Sequence, residues 1–223
     1  MNDPRFPILQ AEIAACVRCP RLVEYRQEVA RVKRRAYLTE SYWGRPVPGF
    51  GDLEARLLIV GLAPGAHGAN RTGRLFTGDK SGDFLFRALY ETGFANQPTS
   101  VHAGDGLQLI GAYLSAAGRC APPGNRPLPE ELENCRPFLA REMALLPRLA
   151  AVVCLGKIGL EAYLRVRGLA PFSRYRFAHG ASFEGVPRMF CTYHPSQQNT
   201  QTGLLSQQMM QDVFRAAAKH LQF

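Results

Sequence analysis

Four cysteines, Cys16, Cys19, Cys120 and Cys135, constrain this protein more than any other feature. They read as C-x2-C near the N-terminus and as C-x14-C about a hundred residues later. A set of four thiolates suits a soft metal centre, either zinc or an iron–sulfur cluster. Pro20 directly follows Cys19, as proline often follows a cluster-binding cysteine. A centre shared by both pairs staples the N-terminal segment onto the body of the fold. That task is structural, so the chemistry has to come from other residues.

The opening residues, MNDPRFPILQ, show no basic region ahead of an apolar core, and no apolar run approaches the length of a membrane span. In such a sequence the C-x2-C pair points to metal rather than to a disulfide. The expected setting is therefore cytoplasmic, without membrane contact. A length of 223 residues with 46% hydrophobic content fits one α/β domain, 1–223, with a real core. The net charge of +9 favours a polyanionic partner, nucleic acid first, although charge alone also describes a merely basic soluble protein.

Residues 8–30 read as one helix, with Leu9, Ile13, Cys16, Val17 and Val29 on a helical period and a local break at Pro20. Both cysteines of the first pair then face one side of that helix. The basic run Arg31, Lys33, Arg34 and Arg35 follows, a solvated face or a phosphate contact. Short apolar strands are expected at 56–62 (RLLIVGL), 107–114, 151–155 (AVVCL) and 189–193, with helices at 81–93, 129–146, 156–167 and 205–221. This alternation predicts a mostly parallel central sheet with helices on both faces. Ligands then gather at the carboxyl ends of the strands. Cys154 and Cys191 fall in strands and read as core residues.

Two loops after strands carry the remaining signal. The first runs from Gly61 to Asp79, rich in glycine and ending in Phe76, Thr77, Gly78 and Asp79. Its glycines let backbone N–H groups approach a ligand, but no Gly-Lys-Ser/Thr closes it, so it is not a P-loop. The second, from His194 to Thr200, places a histidine at the mouth of the sheet, followed by Pro195 and five polar residues. Such a composition suits contact with sugar and phosphate.

Together the segments GLAPG…GR-x-F-T-G-D and HPSQQNT, the stretch CAPPGNRP at Cys120–Pro127 and the four cysteines resemble the uracil-DNA glycosylase superfamily. The closest resemblance is to its iron–sulfur-containing branch, family 5 or type b. It runs from Cys16 to the HPS loop and beyond. The resemblance implies a [4Fe-4S] cluster on Cys16, Cys19, Cys120 and Cys135. It also implies a monofunctional DNA N-glycosylase that flips uracil out of DNA and hydrolyses its bond to the sugar. One flipped nucleotide needs one pocket, so monomeric action is expected.

Residue roles follow from the same resemblance. His194 stabilises the departing base anion near O2, in a protonation state the sequence leaves open. Phe76 stacks on the base. Backbone groups of Gly61, Ala63 and Gly65 line the pocket. Asp79 either holds the attacking water or caps the helix beginning near Ser81. Asn125 either touches the ligand or closes a turn after Gly124. Ser196, Gln197, Gln198 and Asn199 grip phosphate or wedge into the duplex.

Three departures stand out. The related family 4 pattern carries an acidic residue where this sequence has Leu62, and a base-reading Asn where it has Ala116. Leu75 stands where proline is usual. A pocket lacking those polar groups cannot reject a base by leaving them unpaired, so other deaminated bases such as hypoxanthine are expected substrates. Two rivals remain on the sequence alone. One is a lyase using Lys80 as a Schiff base, and the other is a zinc-stapled binding module without catalysis.

Overall fold

The structure is a computed structural model and describes residues 3–222. Met1, Asn2 and Phe223, which the expected domain 1–223 includes, lie outside the described residues.

Leu57–Gly61 forms strand β2, in which every residue is buried. Leu57 and Ile59 enter one core, while Leu58 and Val60 enter the other. A strand apolar on both faces has to lie inside a sheet covered twice. Its neighbours are β3, Ala112–Ala116, and β4, Ala151–Leu155, both parallel to it. Strand β6, Arg188–Thr192, lies parallel beyond β4, with Cys154 opposite Cys191. Both cysteines are buried and free, as core residues.

The sheet is mixed rather than wholly parallel. Its order is β1-β3-β2-β4-β6-β5, and the edge strands β1, Phe50–Gly51, and β5, Ser182–Phe183, run antiparallel. Helices α4, Lys80–Glu91, and α8, Gln207–Leu221, bury Phe86, Leu89, Val213 and Phe214 against one face. Helices α5, Pro129–Ala144, and α6, Gly156–Val166, bury Leu139, Leu160 and Tyr163 against the other. Two four- to five-residue helices, α3 at Ala69–Thr72 and α7 at Gln197–Gln201, sit in the loops after β2 and β6.

The single helix expected at 8–30 is two helices, α1 at Arg5–Ala14 and α2 at Pro20–Val32. Pro20 lacks the N–H needed to continue a helix but fits the first turn of a new one. Cys16 and Cys19 therefore lie on the turn between helices, with Cys19 as the extended residue before α2. Leu9 and Ile13 do face inward, onto Phe138 and Leu145, whereas Val17 is exposed. Strand β3 also starts later than expected. Gly106 and Gly111 have φ of 82° and 60°, left-handed values that interrupt an extended backbone, and pairing with β2 begins at Ala112.

One buried polar network ties β3 to α5. Arg119 meets both carboxylate oxygens of Glu142 at 3.1 and 2.6 Å and Ser115 at 2.9 Å, and both members of the ion pair are 1% exposed. Removing either partner leaves a buried charge uncompensated, at a cost of about 3–5 kcal/mol.

Candidate active site and cysteine centre

Parallel strands bring the loops after β2, β4 and β6 to the same edge of the sheet. There the rings of Phe76 and His194 meet, with centroids 5.6 Å apart and planes at 36°. Phe76 holds a left-handed φ of 49°, which bends the loop so that its ring lies back over β2. A Cβ placed on Gly61 falls 2.6 Å from the Phe76 ring, so this contact requires glycine. His194 stands against the start of α6, where a Cβ on Gly156 falls 3.2 Å from its own Cβ. Asn199 donates to the His194 carbonyl at 2.9 Å and locks the turn. Burial pulls the His194 imidazole down to about 4, so it is neutral at pH 7.

Asp79 performs the capping role directly. Its Oδ1 accepts from the Gly82 N–H at 2.9 Å, opening α4. The other oxygen faces the glycine-rich loop, where a Cβ on Gly65 falls 2.8 Å from Oδ2 and one on Gly68 falls 1.9 Å from it. Burial raises the carboxyl above its ordinary value, while the Gly82 and Ser81 N–H groups oppose that rise. Gly61, Ala63, Gly65, Phe76, Asp79 and His194 thus share one region. Ala63 reaches across to the turn after β3, 3.3 Å from where a Cβ on Gly118 falls.

Two sequence candidates sit apart from that contact. Asn125, with φ of 57°, is exposed on the turn Pro123–Asn125, and none of its described contacts reaches Phe76 or His194. Ser196 caps α7 by accepting from Asn199 N–H at 3.3 Å. Ala116, the register partner of Gly61, is fully buried in the same core as Phe76. Lys80 is a surface residue, 75% exposed along its length and 3.4 Å from Asp83. A Schiff-base lysine needs an enclosed amine facing the substrate, which this surface position does not provide.

Arg71 went unmarked in the sequence because its acidic partner, Glu40, lies far from it in sequence order. It donates to the carbonyls of His67 and Gly78, each at 2.8 Å, and pairs with Glu40. It thereby ties together both ends of the glycine-rich loop. An arginine between Gly68 and Gly73, in a loop whose other charges are Arg74 and Asp79, was the available signal.

The four cysteines line one small cleft together with Leu22, Val23 and Asn134. Arg26 donates to Cys120 Sγ at 3.3 Å, and Asn134 approaches Cys19 Sγ at 3.5 Å. Burial pushes the Cys120 thiol up to about 12, with Arg26 acting in the opposite sense. Among the described residues no group of three or more His, Cys, Asp or Glu is arranged to hold a metal ion. A single zinc draws its four sulfurs together with bonds of about 2.3 Å, whereas a cuboidal cluster spreads them over its corners. Four cysteine sulfurs around one shared cleft suit a soft metal centre in kind and number.

The protein-family model described as the uracil DNA glycosylase superfamily matches residues 48–218. A type-5 uracil-DNA glycosylase of Mycobacterium leprae is 51% identical over 218 residues, covering 96% of this chain and 95% of that protein. One from Thermus thermophilus is 51% identical over 209 residues, covering 93% and 94%. A type-4 uracil-DNA glycosylase of Pyrobaculum aerophilum is 32% identical over 163 residues, covering 70% and 74%. The chain belongs to the uracil-DNA glycosylase superfamily. Within it, the near-complete match at 51% identity puts the protein on the type-5 branch. No helix among the described residues is long and apolar enough to cross a membrane.

Proposed function

We propose that this protein is a monofunctional DNA N-glycosylase that everts uracil from DNA and removes it by hydrolysis, leaving an abasic strand. The observation that carries this reading is the meeting of Phe76 with His194 at the carboxyl edge of the sheet. An everted base stacks on the Phe76 ring. The bond between C1′ and the base nitrogen then breaks, and its electron pair stays on the base. Water supplies the new bond to C1′ and gives up a proton to the Asp79 carboxylate. A neutral His194 retains one N–H to donate to the base oxygen where negative charge develops. Backbone groups of Gly61, Ala63 and Gly65 line the pocket. Asn125, Gln197 and Gln198, exposed at the rim, meet the DNA outside it.

The same site accepts other deaminated bases, hypoxanthine among them. What supports this is Ala116, a buried methyl beside Gly61 that offers no amide to read a base edge. Cys16, Cys19, Cys120 and Cys135 hold a [4Fe-4S] cluster, supported by their shared cleft. When bound, the cluster supplies a rigid cross-link between the α1–α2 turn, the loop after β3 and α5. The enzyme acts as a monomer in a reducing cytoplasm, a setting in which the buried Cys154 and Cys191 stay thiols.

Single-lesion duplexes carrying uracil or hypoxanthine test the activity, with released base and strand integrity both measured. His194→Ala is expected to lower release about 10²–10³-fold with DNA binding retained. Strand nicking with a borohydride-trapped imine overturns the monofunctional reading. No release by the wild type at any enzyme concentration overturns the enzymatic one, and strict uracil-only release overturns the wider substrate range.

A further inference from the structure

Between α2 and β1 a strap, residues 33–45, crosses the glycine-rich loop. Its inner side is tied to that loop at several points. The Arg71 guanidinium lies 3.9 Å from the centre of the Tyr37 ring and pairs with Glu40. Tyr42 hydroxyl meets His67 Nδ1 at 3.1 Å. The N–H groups of Trp43 and Gly44 donate to the carbonyls of Arg71 and Asn70 at 2.9 and 3.0 Å. The Trp43 ring also covers Gly73, where an added Cβ falls 3.1 Å from it.

The outer side of the strap has a different character. Arg34, Arg35 and Arg45 are exposed, beside Leu38 at 58% and Trp43 at 38% exposure. None of the ion pairs among the described residues involves these three arginines. Arg45 lies over the Trp43 ring at 5.6 Å. His67 is disfavoured as a cation first by burial and then by the charges of Arg34 and Arg71, so Arg34 is a near neighbour of the loop. A merely solvated basic face has no need of an exposed indole, nor of a pinned backbone beneath it. Unneutralised guanidinium groups around an aromatic ring match a nucleic-acid strand, with phosphates for the cations and a sugar or base for the ring.

We infer that residues 33–45 grip the DNA strand carrying the target nucleotide, with Arg34, Arg35 and Arg45 on phosphates and Trp43 against a flanking sugar or base. The inference rests on the glycosylase reading above and adds the surface that holds the substrate. The strap is pinned to Arg71 and His67, so a strand seated on it is held in register with the loop that carries Phe76 and Asp79.

The test measures binding of a fluorescent duplex containing a tetrahydrofuran abasic analogue across a series of salt concentrations. Each lost phosphate contact lowers the log–log salt slope by about 0.9. R34A/R35A is expected to lower it by roughly 2 and to weaken binding about tenfold or more at moderate salt. Trp43→Ala is expected to weaken binding with the slope unchanged. Arg148→Ala, an exposed site just before the opposite end of β4, serves as the control and keeps both affinity and slope. A double variant with wild-type slope and affinity overturns the strap, even if the wild type releases uracil. A wild type that releases no base while the double variant loses slope overturns the glycosylase reading and leaves the strap standing.

Discussion

Phe76 and His194, from loops far apart in sequence, hold their rings 5.6 Å apart over the floor formed by Gly61. The floor sets the spacing. A methyl group at residue 61 falls 2.6 and 2.9 Å from two atoms of the Phe76 ring. The ring has to move off β2 and into the space a base needs. Gly61→Ala is therefore expected to cut single-turnover base release about 100-fold or more, while overpacking costs about 1–3 kcal/mol of stability. Release kinetics and a melting curve on the same sample check both. Wild-type release with an intact fold separates Phe76 from the reaction.

The two ionisable groups of the site respond to acid in opposite directions. His194 sits near 4 in the fold and near 6.5 in the unfolded state. Between those values the unfolded state binds more protons there, so stability falls as pH drops through that window. Asp79 is raised above 3.8 in the fold, so the folded state binds more protons there and its contribution rises as pH drops toward 3.8. His194→Ala should flatten the acid loss of melting temperature, and Asp79→Asn should steepen it. In activity the imidazole is neutral throughout the neutral range, so no inflection near 6.5 is expected from it. An inflection there that vanishes in His194→Gln contradicts a neutral imidazole.

Asp79 combines two tasks that substitution can separate. Asparagine caps a helix about as well as aspartate, whereas alanine forfeits roughly 1 kcal/mol. Asp79→Asn should melt near the wild type yet release uracil about 100-fold more slowly, since the amide cannot accept the water's proton. Asp79→Ala should lose both stability and release. Wild-type turnover in the asparagine variant reduces Asp79 to a cap.

Much of this arrangement is legible in the sequence alone. Strands β2 and β4 stand out as short apolar runs because both their faces are buried. Parallel strands then bring Asp79 and His194 to one edge. Strands β1 and β5 are illegible because each is two residues long and is defined by its partner. Cys16 and Val17 continue an apolar period that the backbone abandons before Pro20, since periodicity reports burial on average and not where a helix stops. Arg71 and Arg119 look like surface charges in sequence. Their burial depends on Glu40 and Glu142, acids that no local pattern connects to them.

The cysteine centre and the glycine-rich loop share α2, and this makes removal of the centre observable far from it. Arg26 is 3% exposed and donates to Cys120 Sγ at 3.3 Å and to the Cys16 carbonyl at 3.4 Å. Its own carbonyl accepts from Asn70 Nδ2 at 3.2 Å. Asn70 is fully buried, and its carbonyl accepts from Gly44 beside Trp43, the one tryptophan of the protein. A shift of Arg26 on loss of the centre thus passes through one side-chain amide to the loop and its indole. Oxidative removal of the proposed cluster from iron-loaded protein, followed by iron and sulfide analysis, should shift Trp43 emission to longer wavelength. In Asn70→Ala the shift should be much smaller, with a melting curve confirming that the variant folds. Emission that stays fixed in the wild type as iron is lost means that the centre braces the N-terminal helices alone and leaves the base-binding loop untouched.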